Sequence, residues 1–165
     1  MKPTIPNKTS IATKSDKVYT PYDTAKFIVD YYHPEWSILE PAAWKNIFYD
    51  LFKWNKYRCE IDDWIDFFDF EWHVDWIITN PPYSIYDLFL EKSFEVADNV
   101  VLFVPIAKAF KSNKVQSMVK KYWWLKEMIY MWWGSKHWFW FWFPVWCLYY
   151  KRWYSWDCKI TNNIL

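Results

Sequence analysis

The apolar run Val74–Thr79 ends abruptly at Asn80, which is followed by Pro81, Pro82 and Tyr83. A β-branched run of this length predicts a buried strand, and two consecutive prolines predict a rigid loop at its carboxyl end. In open α/β sheets, ligands and reacting groups lie outside the carboxyl ends of the strands. The chain is therefore predicted to carry a functional site at Asn80. The structural alternative is a proline-terminated strand that only leads into a turn.

Other apolar runs alternate with segments of helical periodicity along the chain. Strands are predicted at 37–39, 57–61, 74–79, 100–104 and 125–131, and helices at 21–33, 46–53, 86–97 and 111–121. Thr20 and Pro21 are expected to be the N-cap and the first residue of the first helix. This alternation predicts a mostly parallel sheet with helices on both faces. An aromatic hairpin around Pro144, at 138–150, is expected to close the sheet as its last antiparallel pair.

The length of 165 residues allows one domain with a substantial core. Residues 1–17 are rich in Lys, Ser and Thr and are predicted to form a flexible tail. The stretch 138–150 is too short to span a bilayer, and the polar first residues do not match a signal peptide. We therefore expect a cytoplasmic protein without membrane contact. The three cysteines and three histidines form no ligand pattern, so no metal site is predicted.

Charge is divided unevenly between the two parts of the chain. The formal charge is +8 over residues 101–165 and −7 over residues 1–100, although the whole chain carries only +1. A protein with one basic half commonly turns that half toward a polyanion. A solvated, lysine-rich helix face is the alternative explanation.

Four segments, in this order, resemble the N6-adenine DNA methyltransferases that use S-adenosyl-L-methionine. They are Val18-Tyr19-Thr20-Pro21, Ile38-Leu39-Glu40-Pro41-Ala42-Ala43, Cys59-Glu60-Ile61 with Asp66-Phe67-Phe68, and Asn80-Pro81-Pro82-Tyr83. The resemblance covers residues 18–160 and implies a single catalytic domain with a Rossmann-like methyltransferase sheet. That sheet would be mostly parallel with a C-terminal antiparallel hairpin. The implied cofactor is S-adenosyl-L-methionine, and the implied substrate is adenine in double-stranded DNA, as in restriction-modification.

The resemblance also implies a role for each matching residue. Tyr19, Thr20 and Pro21 would cover the cofactor. Its methionine end would be held by Glu40, Pro41, Ala42 and Trp44. Its ribose would contact Glu60 and Ile61, and its adenine would contact Asp66 and Phe67. Glu60 has an alternative role as one of several acids on a solvated loop. The pair Asp69-Phe70 offers a competing register for the adenine contact.

The tetrapeptide suits methyl transfer to an exocyclic amine. Such a nitrogen is a poor nucleophile because its lone pair is delocalised into the ring. The side-chain carbonyl of Asn80 and the backbone carbonyl of Pro81 can accept its N–H groups and so expose the lone pair. Pro82 would keep the loop rigid, and Tyr83 would stack on a base flipped out of the duplex. No general base is required, and none adjoins the tetrapeptide.

Two other functions fit parts of this pattern. A methyltransferase acting on protein glutamine or RNA would share the cofactor segments and the tetrapeptide. A non-enzymatic single-strand binder would use the interleaved basic and aromatic residues of 136–150 as stacking platforms. The basic half favours nucleic acid and is expected to contact the DNA. Almost no chain remains for a target-recognition region, so recognition could come from a separate subunit.

Sixteen tryptophans stand beside a single glycine. Trp44 occupies a position where the family has glycine, whose backbone approaches the cofactor closely and often takes a positive φ. Other tryptophans stand at turn-like positions where glycine is the expected residue, including Trp54, Trp72, Trp153 and Trp156.

We interpret most of these tryptophans as glycines encoded by UGA. Some bacterial lineages and their phages translate this codon as glycine, whereas a common alternative table translates it as tryptophan. A truly tryptophan-rich protein with a stacking surface is the alternative, and a UGG codon at position 44 would support it. A chain with indoles at these positions is expected to fold poorly and to bind no cofactor. Overpacking and forced positive φ would exceed a stability margin of about 5–15 kcal/mol.

Overall fold

The structure is a computed structural model that describes residues 18–131 and 144–163. The predicted tail 1–17 lies outside the described residues, as do positions 138–143 of the predicted hairpin. Among the described residues, no helix is long and apolar enough to cross a membrane.

The described residues form one seven-stranded sheet with helices on both faces. Its strands are β1 (Ser37–Glu40), β2 (Asn55–Arg58), β3 (Val74–Thr79), β4 (Ala97–Pro105), β5 (Trp123–Met131), β6 (Val145–Arg152) and β7 (Lys159–Asn163). The helices are α1 (Tyr22–Tyr32), α2 (Tyr86–Val96), α3 (Ile106–Ala109) and α4 (Asn113–Tyr122). The strand order is β2-β1-β3-β4-β6-β5-β7, and β6 alone runs antiparallel to its neighbours. The predicted mostly parallel sheet with one antiparallel pair is confirmed.

Each face of the sheet has its own hydrophobic core. Residues of α1 pack with Ile38, Ile78 and Val101 on one face. Residues of α2 and α4 pack with Leu39 and Ile77 on the other face. Adjacent residues of a strand point to opposite faces, so β1 and β3, which are apolar on both faces, are buried between the two helical layers.

Several predicted boundaries are wrong. The segment 46–53 contains only a 3₁₀ turn at Tyr49–Leu51 instead of a helix. Strand β2 ends at Arg58, so Glu60 lies beyond the strand and pairs with Ile65 in an isolated bridge. Pro21 is the N-cap of α1 and not its first residue, and no side chain caps this helix.

The C-terminal strands also differ from their predicted arrangement. β6 is inserted between β4 and β5, and the edge is formed by β7, which sequence periodicity did not reveal. The antiparallel hairpin therefore consists of β5 and β6, with β6 also antiparallel to β4, and it does not form the lateral edge of the sheet. The short helix α3 was likewise not predicted.

A chain of polar side chains links four strands near the amino ends of β1, β3 and β4. The Ser37 backbone N–H donates to Asp75 Oδ2 over 3.1 Å, and the Asp75 N–H donates to Ser37 Oγ over 2.9 Å. Asn99 Nδ2 donates to the Asp75 carbonyl over 2.9 Å, while its Oδ1 accepts from the Tyr149 hydroxyl over 2.7 Å. These bonds join β1, β3, β4 and β6 in one register, which aligns the opposite ends of the three parallel strands.

Three tryptophans have the backbone conformation of glycine positions. Trp36, Trp64 and Trp153 have φ values of 71°, 63° and 61°. A bulky residue in the left-handed region is an outlier, because its Cβ meets the neighbouring carbonyl oxygen. Trp64 also ends a 3₁₀ turn, and its N–H donates to the Ile61 carbonyl over 3.1 Å. Glycine is the usual residue at a left-handed position that ends a helical turn.

Most described tryptophan side chains lie on the surface. The exposed ones are Trp36, Trp44, Trp54, Trp64, Trp72, Trp153 and Trp156. The expected overpacking of the interior is therefore not seen at these positions, because their indoles point into solvent. The unfavourable contribution is the left-handed backbone at Trp36, Trp64 and Trp153, which glycine would adopt without strain.

We predict that Trp64→Gly stabilises the chain. The left-handed backbone costs a non-glycine residue about 1–2 kcal/mol, and the 95% exposed indole has little burial to lose. The free energy of unfolding in urea should rise by about 1 kcal/mol. Trp54→Gly is the matched control, because Trp54 is exposed without a positive φ. It should lower the free energy of unfolding by about 0.4–1 kcal/mol. Equal effects of the two substitutions would contradict the assignment of position 64 as a glycine site.

Candidate active site

Three of the predicted site residues lie where neighbouring parallel strands end. We call this side of the sheet, formed by the carboxyl ends of the strands, the carboxyl edge. Glu40 is the last residue of β1, Glu60 follows β2 and Asn80 follows β3, and these strands are parallel neighbours. The Cys59 N–H donates to the Glu40 carbonyl, and the Ala43 N–H donates to the Cys59 carbonyl, both over 3.0 Å. These two bonds hold the turn after β1 against the end of β2.

Glu40 is buried and anchors the loop that follows it. Its Oε2 accepts the Tyr49 N–H over 2.6 Å, which ties the 3₁₀ turn to the end of β1. Burial raises the pKa of Glu40 to about 8, although the amides of Tyr49 and Phe48 oppose part of this rise. The carboxyl group is therefore poised to gain or lose a proton near neutral pH.

Glu60 and Asp66 each use one carboxylate oxygen to shape the local backbone. Glu60 Oε1 accepts the Asp62 N–H over 3.2 Å, and Asp66 Oδ1 accepts the Phe68 N–H over 2.9 Å. The second oxygen of each group has no hydrogen-bond partner within the described part of the chain. Both carboxylates can therefore still accept from a ligand. Ile61, predicted beside the ribose, is exposed.

Two Asp-Phe pairs, Asp66-Phe67 and Asp69-Phe70, compete for the predicted adenine contact, and in each pair the phenylalanine lies in the core. Phe67 packs against Phe89 with ring centroids 4.7 Å apart, and Phe70 contacts the Trp72 ring at 5.6 Å. Both phenylalanines are buried in the cluster that contains α2. Their burial therefore does not separate Asp66-Phe67 from Asp69-Phe70.

The Asn80 side chain is held in one orientation. Its Nδ2 donates to the Val18 carbonyl over 3.0 Å and to Thr20 Oγ1 over 3.1 Å. Its Oδ1 is buried and has no hydrogen-bond partner within 18–131 and 144–163. Since nearly all buried polar atoms in proteins are paired, this oxygen is a candidate acceptor for a ligand.

The rest of the tetrapeptide is more buried than a base-stacking role requires. Tyr83 is only 8% exposed and packs in the core cluster with Tyr86 and Phe89. Its hydroxyl is buried without a partner among the described residues. Burial raises the pKa of Tyr83, and the neighbouring Asn80 side chain opposes part of the rise. Pro81 is buried and Pro82 half-buried, so the loop between Asn80 and Tyr83 is packed on its scaffold.

The segment before α1 meets the loop after β1. Lys45 Nζ lies 4.9 Å from the Tyr19 ring centroid and 4.9 Å from the Trp44 ring centroid. Position 44 does not take the positive φ that is frequent at the family's glycine; the left-handed residue of this loop is Asn46, with φ 54°. Asparagine tolerates this conformation better than most residues. Sequence analysis missed Lys45, whose signal is only its position beside Trp44.

Basic residues also reach this edge, in the segment after β4. Lys108 lies in α3, and the exposed Lys111 lies between α3 and α4, at the edge where β3 and β4 end. Neither forms an ion pair within the described part of the chain, whereas Lys114 pairs with Asp87 and Glu91. Phe110, half exposed, stands between the two lysines. Among the described residues, no cluster of His, Cys, Asp and Glu could hold a metal ion.

Comparison with known proteins finds a shared fold. No protein-family model matches the chain, and no curated protein matches it. A Listeria monocytogenes protein, provisionally described as a class I S-adenosylmethionine-dependent methyltransferase, superposes with a TM-score of 0.70 at 14% identity. The match covers 93% of this chain and 68% of that chain.

Two restriction-enzyme subunits are also similar in structure. The modification subunit of a provisionally assigned type I restriction enzyme from Vibrio vulnificus gives a TM-score of 0.64 at 15% identity, covering 88% of this chain. The M protein of the type I restriction enzyme EcoKI gives a TM-score of 0.65 at 11% identity, and the match covers 81% of this chain. This chain spans 46% and 44% of those two chains, less than half of each. The fold is therefore the Rossmann-like methyltransferase fold, as predicted.

We predict that stability depends on pH through Glu40. Glu40 has a pKa of about 8 in the folded chain, against an ordinary value of 4.5. Between pH 4.5 and pH 8, the Glu40 carboxyl is therefore protonated to a greater extent in the folded state than in the unfolded state. The free energy of unfolding should therefore fall as pH rises from about 4.5 to 8. Glu40→Gln keeps an acceptor for the Tyr49 N–H and should flatten this slope in urea titrations. Glu35→Gln, at an exposed position, should leave it in place. An unchanged slope in Glu40→Gln would refute the prediction.

Proposed function

We propose that residues 18–160 form a catalytic domain that transfers a methyl group from S-adenosyl-L-methionine to the exocyclic N6 of adenine in DNA. The observation that carries this proposal is the buried, unpartnered Oδ1 of Asn80 at the carboxyl edge of the sheet. Leaving such an acceptor unpaired costs about 1–3 kcal/mol. An amino group bound at this edge would satisfy it.

The proposed chemistry follows from two fixed oxygens. Asn80 Oδ1 and the Pro81 backbone carbonyl would each accept one N–H of the adenine amino group. Their pull makes the nitrogen more pyramidal and frees its lone pair for attack. Because Pro81 and Pro82 keep the loop rigid, the two acceptors are already in place when the base arrives. Positioning then supplies most of the rate enhancement.

The residues of the edge fit the proposed cofactor. When bound, S-adenosyl-L-methionine supplies an electrophilic methyl group on a sulfonium. The free oxygen of Glu60 would accept from the ribose hydroxyls, and that of Asp66 would accept from the adenine amine. Glu40 would hold the turn Pro41–Ala43 against the methionine end through its bond to Tyr49. Ala42 and the residue at position 44 would line the same turn, beside Tyr19 and Pro21.

Tyr83 has a conditional role in this proposal. Its ring is buried, so stacking on a base requires the ring to present a face when the base enters. The unpartnered hydroxyl makes its position in the core less favourable than that of a phenylalanine. We therefore include Tyr83 as the base-stacking residue, with a change of environment on DNA binding.

The similar structures support a methyltransferase, and two of them are modification subunits of type I restriction enzymes. DNA is therefore the preferred substrate. Since this chain spans less than half of either subunit, a separate recognition subunit belongs to the proposal. Methyl transfer to protein glutamine or RNA is the second candidate, because the same amide and proline carbonyls would activate those nitrogens.

The test uses the chain with glycine at every tryptophan position that UGA encodes, the glycine form, beside the tryptophan chain. Each is incubated with labelled S-adenosyl-L-methionine and unmethylated duplex DNA, and the nucleosides are then separated. We expect label in N6-methyldeoxyadenosine with the glycine form. Asn80→Ala should lower the rate by at least about 100-fold, because it removes an acceptor that acts in the transition state.

Parallel reactions separate the competing functions. Label in RNA or in a glutamine-containing protein, with none in DNA, would replace the substrate proposed here. A single-strand binder without activity would transfer no label, and Asn80→Ala would leave its affinity unchanged. Stoichiometric labelling of DNA by the tryptophan chain would contradict the interpretation of the tryptophans.

We predict that Lys111 contacts a DNA phosphate. It is exposed at the edge that carries Asn80 and forms no ion pair among the described residues. Lys111→Ala should weaken duplex binding and lower the slope of log affinity against log salt by about 1. Lys53→Ala is the control, because Lys53 is exposed before β2, at the opposite edge. Equal slopes for both variants would favour the alternative of a merely solvated lysine face.

A further inference from the structure

The contacts of Asn80 reach far along the chain. The two groups that accept from its Nδ2, the Val18 carbonyl and Thr20 Oγ1, lie 62 and 60 residues earlier in sequence. Asn80 directly follows β3, whose last residue is Thr79. The segment Val18–Pro21 leads directly into α1, whose first turn is closed by the Ala25 N–H donating to the Pro21 carbonyl over 3.0 Å.

These two contacts use all the donors that the amide possesses. A primary amide carries two N–H groups on nitrogen and two acceptor sites on oxygen. With both N–H groups engaged, the oxygen must point away from Val18 and Thr20. The reverse orientation is unfavourable, because it would set Oδ1 against the Val18 carbonyl oxygen, which can only accept. Val18 therefore determines which amide atom faces the site.

Thr20 limits rotation of the amide about its last side-chain bond. The bond from Nδ2 to Val18 alone would permit the amide plane to swing, as terminal amide torsions have broad minima. The second bond, to Thr20 Oγ1, fixes the plane. Thr20 is itself only 5% exposed, so its hydroxyl is held by packing and water cannot readily replace it.

We propose that Thr20 is a positioning residue that acts through Asn80, holding the amide so that Oδ1 faces the reacting amine. This inference rests on the proposed function and adds to the cofactor contact that the resemblance implies for Thr20. The same short segment would then touch the cofactor and orient the acceptor of the substrate amine.

The test compares Thr20→Val with Thr20→Ser in the glycine form. Valine keeps the shape of threonine and removes the acceptor, whereas serine restores it. We expect Thr20→Val to lower kcat about 10- to 100-fold, the effect of misplacing one group in a reacting site. KM for DNA should change less than about threefold, since the amide acts on the transition state. Thr20→Ser should recover most of kcat.

A matched control lies one helical turn away. Thr24 is fully buried in α1, and its Oγ1 has no partner within the described residues. Thr24→Val makes the same chemical change without touching Asn80, so kcat should stay within about twofold. A second readout is the Asn80 side-chain amide in nuclear magnetic resonance spectra. The Asn80 amide protons should exchange with solvent faster in Thr20→Val. Their exchange rate should be unchanged in Thr24→Val.

The outcomes separate this inference from the function it rests on. A glycine form that methylates DNA while Thr20→Val keeps the full kcat would overturn the positioning role alone. Equal losses of kcat in Thr20→Val and Thr24→Val would also overturn it, since packing would then explain both. A glycine form that transfers no methyl group to any substrate would overturn the proposed function, and the positioning role with it.

Discussion

The polar chain from Ser37 through Asp75 and Asn99 to Tyr149 is the constraint on which the arrangement of the sheet depends. It fixes the stagger of β1, β3, β4 and β6 at one edge. The register that results pairs Leu39 with Ile77 and Thr79 with Leu102. A slip of one residue would turn every side chain of a strand to the other face. Asn80 directly follows β3, so its contacts with Val18 and Thr20 would be lost.

The same register explains why polar atoms without partners can persist at the opposite edge. Asn80 Oδ1 and the Tyr83 hydroxyl are buried and unpaired within the described part of the chain. Each costs about 1–3 kcal/mol, an appreciable part of a total stability of about 5–15 kcal/mol. The surrounding strands and α1 hold these atoms in place, because moving them would disturb two hydrophobic cores. Each such unsatisfied group needs an explanation, and for Asn80 Oδ1 the explanation proposed here is a bound amino group.

The sequence was sufficient to predict the elements that depend on local pattern. Apolar runs located β1, β3 and β4, and the rule that parallel strands end at one edge brought Glu40 and Asn80 together. Features that depend on distant contacts were missed. The segment 46–53 is only a 3₁₀ turn, bound by the buried Glu40 carboxylate. The insertion of β6 between β4 and β5 depends on a choice of pairing partner, which periodicity does not encode. The bond from Asn80 Nδ2 to Thr20 Oγ1 has no local signal at all.

The tryptophans test whether residue identity and backbone conformation agree. Local preferences in natural sequences usually agree with the fold that they adopt. Here the backbone takes left-handed values at Trp36, Trp64 and Trp153, and their large side chains find no core to enter. Near the proposed site, Trp44 is likewise exposed, on the loop that the Tyr49 contact holds in place. An indole gains its stability from burial, whereas glycine contributes a permissive backbone and no side chain. The surface exposure and the left-handed φ values therefore favour glycine, and the two observations are independent of the resemblance that first suggested it.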